Sequence, residues 1–470
     1  MTAELPRIRV ASITENAAPA FLGDEEFVAL CDEACRRANT VLLLSGGVSS
    51  EARRSWLFAE PAALLTYNPG SLTWRDNTGV RQIDAHPLDA VDGLLEQLRV
   101  GLDGSMPAPR LAGYFAYELK DTIERLLRKT INDLCLPEMW LMLPTLVRIH
   151  DREIARMHEF RITYTDEDGA PLEVLRDTAD PIPHGDIPQL RAEHSTHGRD
   201  EYCRVVEKAR RHILDGDIYQ INLSQRFDGV FVGDPFAYWT ARFRSNPAPY
   251  YAWIHAGDHL VLSTSMEQFL RREGDAVQSR PIKGTRPRGT GPASDAAIVE
   301  ELLRSAKDDA ELSMIVDLIR NDMSRVCVPG SVVVHEHKRV ESYANVHHLV
   351  STVRGTQHDG AGFAEWMRAM FPGGSITGCP RIRAMELIEE FEKVARHVYT
   401  GAIGYAAADG SIDLSVAIRT MILAHGRFHL SVGGGIVHDS DPDAEYEETL
   451  AKARNFLPSH EDTHGPGSAL

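Results

Sequence analysis

Lys283 stands among arginines in the run Arg280-Pro-Ile-Lys-Gly-Thr-Arg286, and Arg288 follows two residues later. Neighbouring positive charges disfavour the ammonium form of a lysine, and a neutral amine is a nucleophile. The same charges would attract an anionic substrate. Taken alone, the run predicts either a nucleophilic amine in an anion-binding pocket or an exposed basic loop.

Four acidic residues on predicted helices could hold a cation. Asp308 and Glu311 are three residues apart, as are Glu445 and Glu448, so each pair shares a helix face. Carboxylates without neighbouring cysteines or clustered histidines suit a hard cation, and Mg²⁺ fits where a substrate adds oxygens. The second pair has an alternative role, because first-turn acids favour the helix dipole and Glu448 precedes Lys452 by four residues.

Glu267 is a candidate proton donor for the same site. It precedes Lys283 by 16 residues, and a turn at Glu273-Gly274-Asp275 lies between the two. A hairpin would bring both side chains to one pocket, where an acid beside an amine suits a displacement that needs a protonated leaving group. The alternative is a surface salt bridge.

Several residues could bind the carboxylates of a ligand. Gly433-Gly434-Gly435 follows a predicted strand, and the amides of a glycine turn can approach an anion closely. Arg419 could form a bidentate pair with a carboxylate. Ser375 and Thr377 lie in a loop that leads into a helix, where they bind a ligand or cap the helix. His348 lies in a strand-like run, where a satisfied core histidine is the alternative.

The composition narrows the classes of function. The chain has 470 residues, 43% of them hydrophobic, and a net charge of −18, which argues against a binder of nucleic acid or anionic membranes. Six scattered cysteines form no C-x-x-C pair. No apolar run of 18 residues and no signal peptide is evident. We therefore expect a cytoplasmic, reduced protein.

Predicted hairpins and helices are mixed along the chain without a steady β-α-β-α alternation, which favours an α+β fold with large antiparallel sheets. We predict an N-terminal region at 1–165, a linker or surface loop at 166–199, a catalytic region at 200–457 and a disordered tail at 458–470. Within the catalytic region we expect a single long helix at 296–321 and strands at 414–423 and 428–432.

The motifs together resemble those of the chorismate-utilising enzymes. The resemblance covers about residues 200–457 and, more weakly, 27–150. It implies a sandwich of large sheets flanked by helices. Its pieces are Asp217-Ile-Tyr-Gln-Ile-Asn-Leu-Ser-Gln225, residues 280–285, residues 310–322, Val346-His-His-Leu-Val-Ser351, residues 371–380 and Gly433-Gly-Gly-Ile-Val437.

Lys283 places the resemblance in the aminodeoxychorismate synthase branch, where this motif position is commonly lysine, whereas other branches commonly have a small residue. The resemblance implies that the amine attacks C2 of chorismate while Glu267 protonates the departing C4 hydroxyl. Ammonia then attacks C4 and expels the lysine. His348 and Ser375 would line the pocket, and the ammonia would come from a separate glutamine amidotransferase subunit.

The remaining expected roles also follow from the resemblance. Mg²⁺ would bind the ring carboxylate of chorismate, with Glu311 and Glu448 as ligands and Asp308 and Glu445 assisting. Arg419 and Tyr399 would bind the enolpyruvyl carboxylate, and Lys452 and the Gly433–Gly435 amides would support the ring carboxylate. Anthranilate synthase component I is the first alternative, and a non-catalytic amino-acid-binding regulatory partner is the second.

Overall fold

The computed structural model describes residues 4–18, 20–47, 49, 51–99, 109–176, 179–186 and 188–457. The predicted tail at 458–470 therefore lies outside the described residues. The α-helices are α1 (Asp24–Cys35), α2 (Pro87–Arg99), α3 (Arg199–Leu214), α4 (Pro235–Ser245), α5 (Pro292–Arg304), α6 (Ala306–Ser324), α7 (Phe363–Met370), α8 (Arg381–Phe391) and α9 (Pro442–Ala453). Two 3₁₀ turns are Tyr117–Thr122 and Gly374–Ile376.

Antiparallel pairing dominates the strands. They are β1 (Ile8–Asn16), β2 (Thr40–Leu44), β3 (Arg54–Asn68), β4 (Ser71–Asp76), β5 (Gly79–Ile83), β6 (Arg110–Phe115), β7 (Met139–Asp151), β8 (Arg156–Asp166), β9 (Pro171–Leu172), β10 (Gln189–Ser195), β11 (Gln220–Val232), β12 (Tyr250–His255), β13 (His259–Ser265), β14 (Gln268–Glu273), β15 (Ala276–Arg280), β16 (Ile282–Pro287), β17 (Val333–Ser342), β18 (Val346–Thr356), β19 (Gly378–Cys379), β20 (Ala402–Ala407), β21 (Ile412–Val416), β22 (Thr420–Ala424) and β23 (Arg427–Ile436).

Strands from the two halves of the chain pair with each other. β2 pairs with β12, and β6 pairs with β20, so the strands of the first 165 residues continue those of the C-terminal region. Helices α2, α6 and α7 bury Leu88, Ile315 and Trp366 against this sandwich in the largest apolar cluster. The predicted α+β sandwich of large antiparallel sheets flanked by helices is confirmed.

The predicted helix at 296–321 is instead two helices. Ser305, between α5 and α6, has an extended backbone, and its hydroxyl accepts a hydrogen bond from the Asp308 amide at 3.3 Å. A serine that caps the next helix ends the preceding one, because its side chain satisfies an amide that a continuous helix would use internally. The break places Asp308 in the first turn of α6.

Two strand predictions near the C-terminus were wrong in their bounds. The predicted strand 414–423 is β21 and β22, separated by residues 417–419, and Arg419 has a φ of 48°. The predicted glycine turn after residue 432 is not a turn, because β23 continues through Gly433–Gly435 to Ile436 and pairs with β11. A Cβ atom on Gly433 would lie 2.4 Å from the Leu223 carbonyl oxygen, so glycine permits the two backbones to approach this closely.

The segment predicted as a linker contains strand β10, which pairs with β11. The six cysteines are free, and Cys31 and Cys35, which lie four residues apart on α1, pack in a buried apolar cluster. Within the described ranges, no helix has the length and apolar character required to cross a membrane.

Candidate active site

Glu267, Lys283 and Ser375 meet in one place. The hairpin of β14 and β15 lies between Glu267 and β16, which carries Lys283, and its turn falls at residues 274–275 as predicted. The Ser375 hydroxyl donates a 2.6 Å hydrogen bond to Glu267 Oε1. The backbone carbonyl of Ser375 accepts a 3.2 Å hydrogen bond from Lys283 Nζ. One residue of the Gly374–Ile376 turn thus contacts both the acid and the amine.

Burial changes the acidity of Glu267. The side chain is 4% exposed, and desolvation raises its pKa to about 7, although Ser375, Lys283 and the Ile282 amide each act to lower it. A carboxyl group with this pKa carries a proton for a substantial fraction of the time at neutral pH. Glu267 can therefore donate or accept a proton within the range in which most enzymes work.

The arginines around Lys283 do not form the positive cluster that the sequence predicted. Arg280 pairs with Glu341, and Arg288 pairs with Asp295 at 2.8 Å. Arg286 pairs with Asp308 at 2.9 Å. Each guanidinium is compensated by a carboxylate, so the three arginines do not surround Lys283 with uncompensated positive charge. Lys283 instead lowers the pKa of three carboxyl groups, those of Glu267, Glu311 and Glu448.

Three of the four predicted cation ligands lie close together, because Glu448 is near both Glu311 and Glu445. Burial raises the pKa of Glu311, and the charges of Asp308 and Glu448 raise it further. Burial and the charge of Glu448 raise the pKa of Glu445. A Cβ atom on Gly434 would lie 3.1 Å from Glu445 Oε2 and 3.5 Å from Glu448 Oε1. These carboxylates repel one another, and a cation between them would relieve that repulsion.

The fit to Mg²⁺ is that of a site completed by a ligand. In the described part of the chain, no group of three or more acidic, histidine or cysteine side chains is arranged to hold a metal. Mg²⁺ commonly uses only one or two carboxylates and takes its other oxygens from substrate and water. Glu311 and Glu448 meet that requirement, with Glu445 beside them. Asp308 is paired with Arg286 at 2.9 Å and Glu448 with Lys452 at 2.7 Å, the i,i+4 pair that the sequence offered as an alternative, so each would exchange a cationic side chain for the metal.

Arg419 and Tyr399 are the two residues predicted to bind the enolpyruvyl carboxylate, through a guanidinium and a phenol. Burial lowers the pKa of the Arg419 guanidinium, whereas the nearby Tyr251 and Glu448 raise it. No carboxylate of the described residues lies within salt-bridge distance of Arg419. Tyr399 is 4% exposed, and burial raises the pKa of its phenol. A partly buried guanidinium without a carboxylate partner is suited to binding an anionic ligand.

His348 is neutral and incompletely hydrogen-bonded. Burial and the charge of Arg419 lower its pKa to about 3. Its Nδ1 atom lies 2.9 Å from the Thr285 hydroxyl, and its buried Nε2 atom has no hydrogen-bond partner. A buried nitrogen without a partner carries a free-energy cost that a ligand could remove.

The glycines of β23 form one wall of the site. Lys452 Nζ donates to the Gly433 carbonyl oxygen at 2.7 Å. The amides of Asn222 and Ser224, which lie opposite Gly435 and Gly433, bond to Thr377 and Glu392 instead of β23. These are therefore non-hydrogen-bonded pairs of the antiparallel ladder, in which both residues of a pair direct their N–H groups away from the partner strand. The Gly433 and Gly435 amides are therefore directed away from β11.

A side chain at Gly435 would disrupt this wall. Its Cβ atom would lie 2.4 Å from Gln220 Nε2 and 3.6 Å from Lys283 Nζ. Thr377 lies beneath the wall and is fully buried, and its hydroxyl donates to the Gly373 carbonyl oxygen at 2.9 Å. Thr377 therefore donates its hydroxyl hydrogen within the loop and holds the loop in place.

Sequence reasoning missed Arg396 and Asn222. Arg396 is buried, pairs with Glu392, and donates to the carbonyl oxygens of Ile376 and Asn222 at 3.0 and 2.8 Å. It thereby fixes the residue that follows Ser375. Asn222 has a buried side-chain oxygen without a partner, beside Gly433. Asn222 lies inside a motif used for the resemblance, but nothing in the sequence distinguishes Arg396 from a surface arginine.

Similarity to known proteins agrees with this geometry. The chain belongs to the chorismate binding enzyme family, whose model matches residues 41–458. It is 37% identical to aminodeoxychorismate synthase component 1 of Klebsiella aerogenes over 425 residues, which cover 88% of this chain and 92% of that protein. It is 36% identical to anthranilate synthase component 1 of Thermus thermophilus over 400 residues, which cover 82% and 86%.

Two solved structures share the fold. Anthranilate synthase component I from Streptococcus pneumoniae aligns with a TM-score of 0.73 and 27% identity, covering 94% of this chain and 99% of that one. The menaquinone-specific isochorismate synthase from Escherichia coli aligns with a TM-score of 0.72 and 17% identity, covering 97% and 95%. The chain is therefore an enzyme of the chorismate-binding family, and the relatives by themselves do not select one reaction.

Proposed function

We propose that this chain is aminodeoxychorismate synthase component I, which converts chorismate and ammonia to 4-amino-4-deoxychorismate. The observation that carries the proposal is the placement of Lys283. Its amine lies against Ser375, whose hydroxyl contacts the proton-bearing acid Glu267. Relatives of both amination types have similar identities, so the reactive groups within the site are the basis for choosing between them.

The two carboxylates of chorismate have complementary partners. Arg419 and Tyr399 bind the enolpyruvyl carboxylate. Lys452 and the amides of Gly433 and Gly435 bind the ring carboxylate. Glu311 and Glu448, with Glu445 beside them, would hold Mg²⁺, which when bound neutralises negative charge at the ring carboxylate. His348 contributes a neutral nitrogen to the pocket.

Amination at C4 proceeds in two displacements. The free amine of Lys283 forms a bond to C2, both conjugated double bonds of the ring shift towards C4, and the bond from C4 to its hydroxyl oxygen breaks. Glu267 gives its proton to that oxygen, so the group leaves as water. Ammonia then forms a bond to C4, both double bonds shift back, and the bond between C2 and the lysine nitrogen breaks, which releases Lys283 as the free amine. Two successive displacements place the new amine at C4, whereas direct attack of ammonia at C2 leads toward anthranilate.

The proposal also includes the source of the ammonia and the use of the product. A glutamine amidotransferase subunit supplies the ammonia, and the product serves the synthesis of 4-aminobenzoate and folate in the cytoplasm. A non-catalytic amino-acid-binding regulator is disfavoured, because Glu267, Lys283, Glu311 and Glu448 are all retained and lie within electrostatic reach of one another.

Anthranilate synthase component I is the alternative, favoured by the 36% identity to the Thermus thermophilus enzyme. Incubation with chorismate, ammonium and Mg²⁺ discriminates between the two. We expect 4-amino-4-deoxychorismate by mass spectrometry, little anthranilate fluorescence, and no turnover when a chelator replaces Mg²⁺. Strong anthranilate fluorescence would overturn the proposal.

Arg419→Ala is expected to raise the KM for chorismate by about 10- to 100-fold, because a charged hydrogen-bonding group contributes about 1.5–3 kcal/mol. Steady-state kinetics with varied chorismate measure the change. Arg427→Ala is the matched control, since Arg427 lies on the neighbouring β23 and pairs with the surface residue Glu193. Equal KM values for chorismate in the two variants would show that Arg419 does not bind the substrate.

A further inference from the structure

A small cavity adjoins the reacting groups on the helical side of the site. It has about 10 Å³ of space for the centre of a water-sized molecule. That space admits one such molecule and no more. Its walls include Glu267, Ile319, Asp322, Met370, Gly373 and Ser375.

The walls of the cavity are suited to a small hydrogen-bond donor. Asp322 forms an ion pair with Arg381, so its charge is compensated. Glu267 accepts hydrogen bonds from the Ser375 hydroxyl and the Ile282 amide, and the charges of Lys283 and Lys452 act on it, but no cationic side chain of the described residues forms a salt bridge with it. Apolar side chains of Ile319 and Met370 complete the wall. A cationic donor with a single heavy atom satisfies the size and the charge of this space.

Glu267 and Ser375 are shared by the cavity and the lysine site. The Ser375 carbonyl is directed to Lys283, while its hydroxyl contacts the Glu267 carboxylate that lines the cavity. A molecule in the cavity therefore lies beside the acid without occupying the space along β23 that the larger substrate needs.

We propose that the cavity binds the ammonium ion that is the second substrate, and that Glu267 accepts its proton before amination. The inference rests on the proposed function. After the first displacement Glu267 is a carboxylate, because its proton left with the C4 hydroxyl as water. Ammonium transfers one proton to that carboxylate and becomes ammonia, whose lone pair forms the bond to C4. The acid is thus protonated again for the next cycle.

Gly373→Ala tests the cavity directly. A Cβ atom there would meet Phe269 at 3.5 Å and Ile376 at 3.7 Å, both ordinary contacts, so the loop accepts a methyl group on the cavity wall. We expect the KM for ammonium to rise about tenfold, since one methyl group of lost space has an effect of that order. The KM for chorismate should stay within about twofold of the wild-type value.

Gly198→Ala is the matched control. Gly198 precedes α3 in the same way that Gly373 precedes its 3₁₀ turn, and a Cβ atom there meets no atom within 4 Å. An unchanged ammonium KM in Gly373→Ala would overturn the inference. An equal rise in both KM values would also overturn it, because that result indicates a displaced loop instead of a filled cavity.

Ile319→Val provides a second test that does not depend on the loop. The wild-type cavity has no room for an added methyl group, so the enzyme should reject methylammonium. Removing one methyl group from the wall should allow methylammonium to react, and mass spectrometry should detect the N-methylated product. Rejection of methylammonium by both proteins would contradict the proposed site.

The two proposals fail in distinguishable ways. If the wild-type protein forms anthranilate, the proposed function is wrong, but the ammonium KM can still be measured because that reaction also consumes ammonia. If the product is 4-amino-4-deoxychorismate and Gly373→Ala has the wild-type ammonium KM, only the cavity inference is wrong.

Discussion

Replacing Lys283 by alanine is expected to lower the rate of 4-amino-4-deoxychorismate formation by about 10³-fold or more, because removing a covalent nucleophile commonly has effects of this size. The side chain is half-buried, and its amine donates one hydrogen bond within the described residues, to the Ser375 carbonyl. The fold should therefore survive the change. Rates of product formation and the thermal unfolding midpoint, measured on the same preparation, separate lost chemistry from lost structure.

The exposed Lys208 on α3 provides the control, and Lys208→Ala should retain the wild-type rate. Intact-protein mass spectrometry with chorismate and without ammonia should show an adduct in the wild-type protein and in Lys208→Ala. Lys283→Ala should show none. A wild-type rate in Lys283→Ala would contradict the covalent route, and so would a lack of adduct in an enzyme that turns over with ammonia.

Local sequence patterns predicted the parts of the site that depend on short-range geometry. The turn at residues 273–275 and a hairpin around it could be predicted, so the approach of Glu267 to Lys283 could be inferred. The motif carrying Ser375 was also identified, but the separate roles of its residues were not. Ser375 contacts both the acid and the amine, whereas Thr377 holds the loop.

Charge compensation could not be predicted, because it depends on residues that are distant in the chain. Arg280 pairs with Glu341, and Arg286 pairs with Asp308 on a separate helix. A run of basic residues in a sequence gives no information about those partners. Arg396 was missed for the same reason, since its bonds to Ile376 and Asn222 appear only when α8, β11 and the 3₁₀ turn are assembled.

The glycine run shows how one pattern can lead to a wrong element and a useful site. Consecutive glycines commonly indicate a turn, but β11 requires close backbone approach along the whole pair. The same lack of side chains leaves space for Lys283 and for the carboxylates of α9. Tertiary contact therefore overrode the local preference, while the role of the glycines in forming the site remained.

Glu267→Gln is expected to lower kcat by about 10²- to 10⁴-fold, the range for loss of a general acid. Glutamine keeps the shape of the side chain and still accepts the Ser375 hydroxyl, so substrate binding should change little. The wild-type rate should fall as pH rises above about 7, because the pKa of Glu267 is about 7 and the first displacement needs its protonated form. The residual rate of Glu267→Gln should lack this dependence.

Stability measurements provide a second, independent readout of the same group. Because burial raises the pKa of Glu267, the native protein binds more protons than the unfolded chain between the ordinary glutamate value and about 7. The free energy of unfolding contributed by this group therefore falls as pH rises through that window. Glu267→Gln should remove that part of the pH dependence. The stability of the variant relative to the wild type should therefore be greater at pH 8 than at pH 5.

Glu118→Gln separates the two effects. Glu118 is also buried, its pKa is raised to about 7 by desolvation, and it lies outside the reacting groups. Its replacement should remove a similar pH dependence of stability while leaving the pH–rate profile above pH 7 unchanged. If both variants alter that profile equally, the alkaline fall in rate reports a general change in the folded protein. If only Glu267→Gln alters it, the fall reports the proton that the C4 hydroxyl requires.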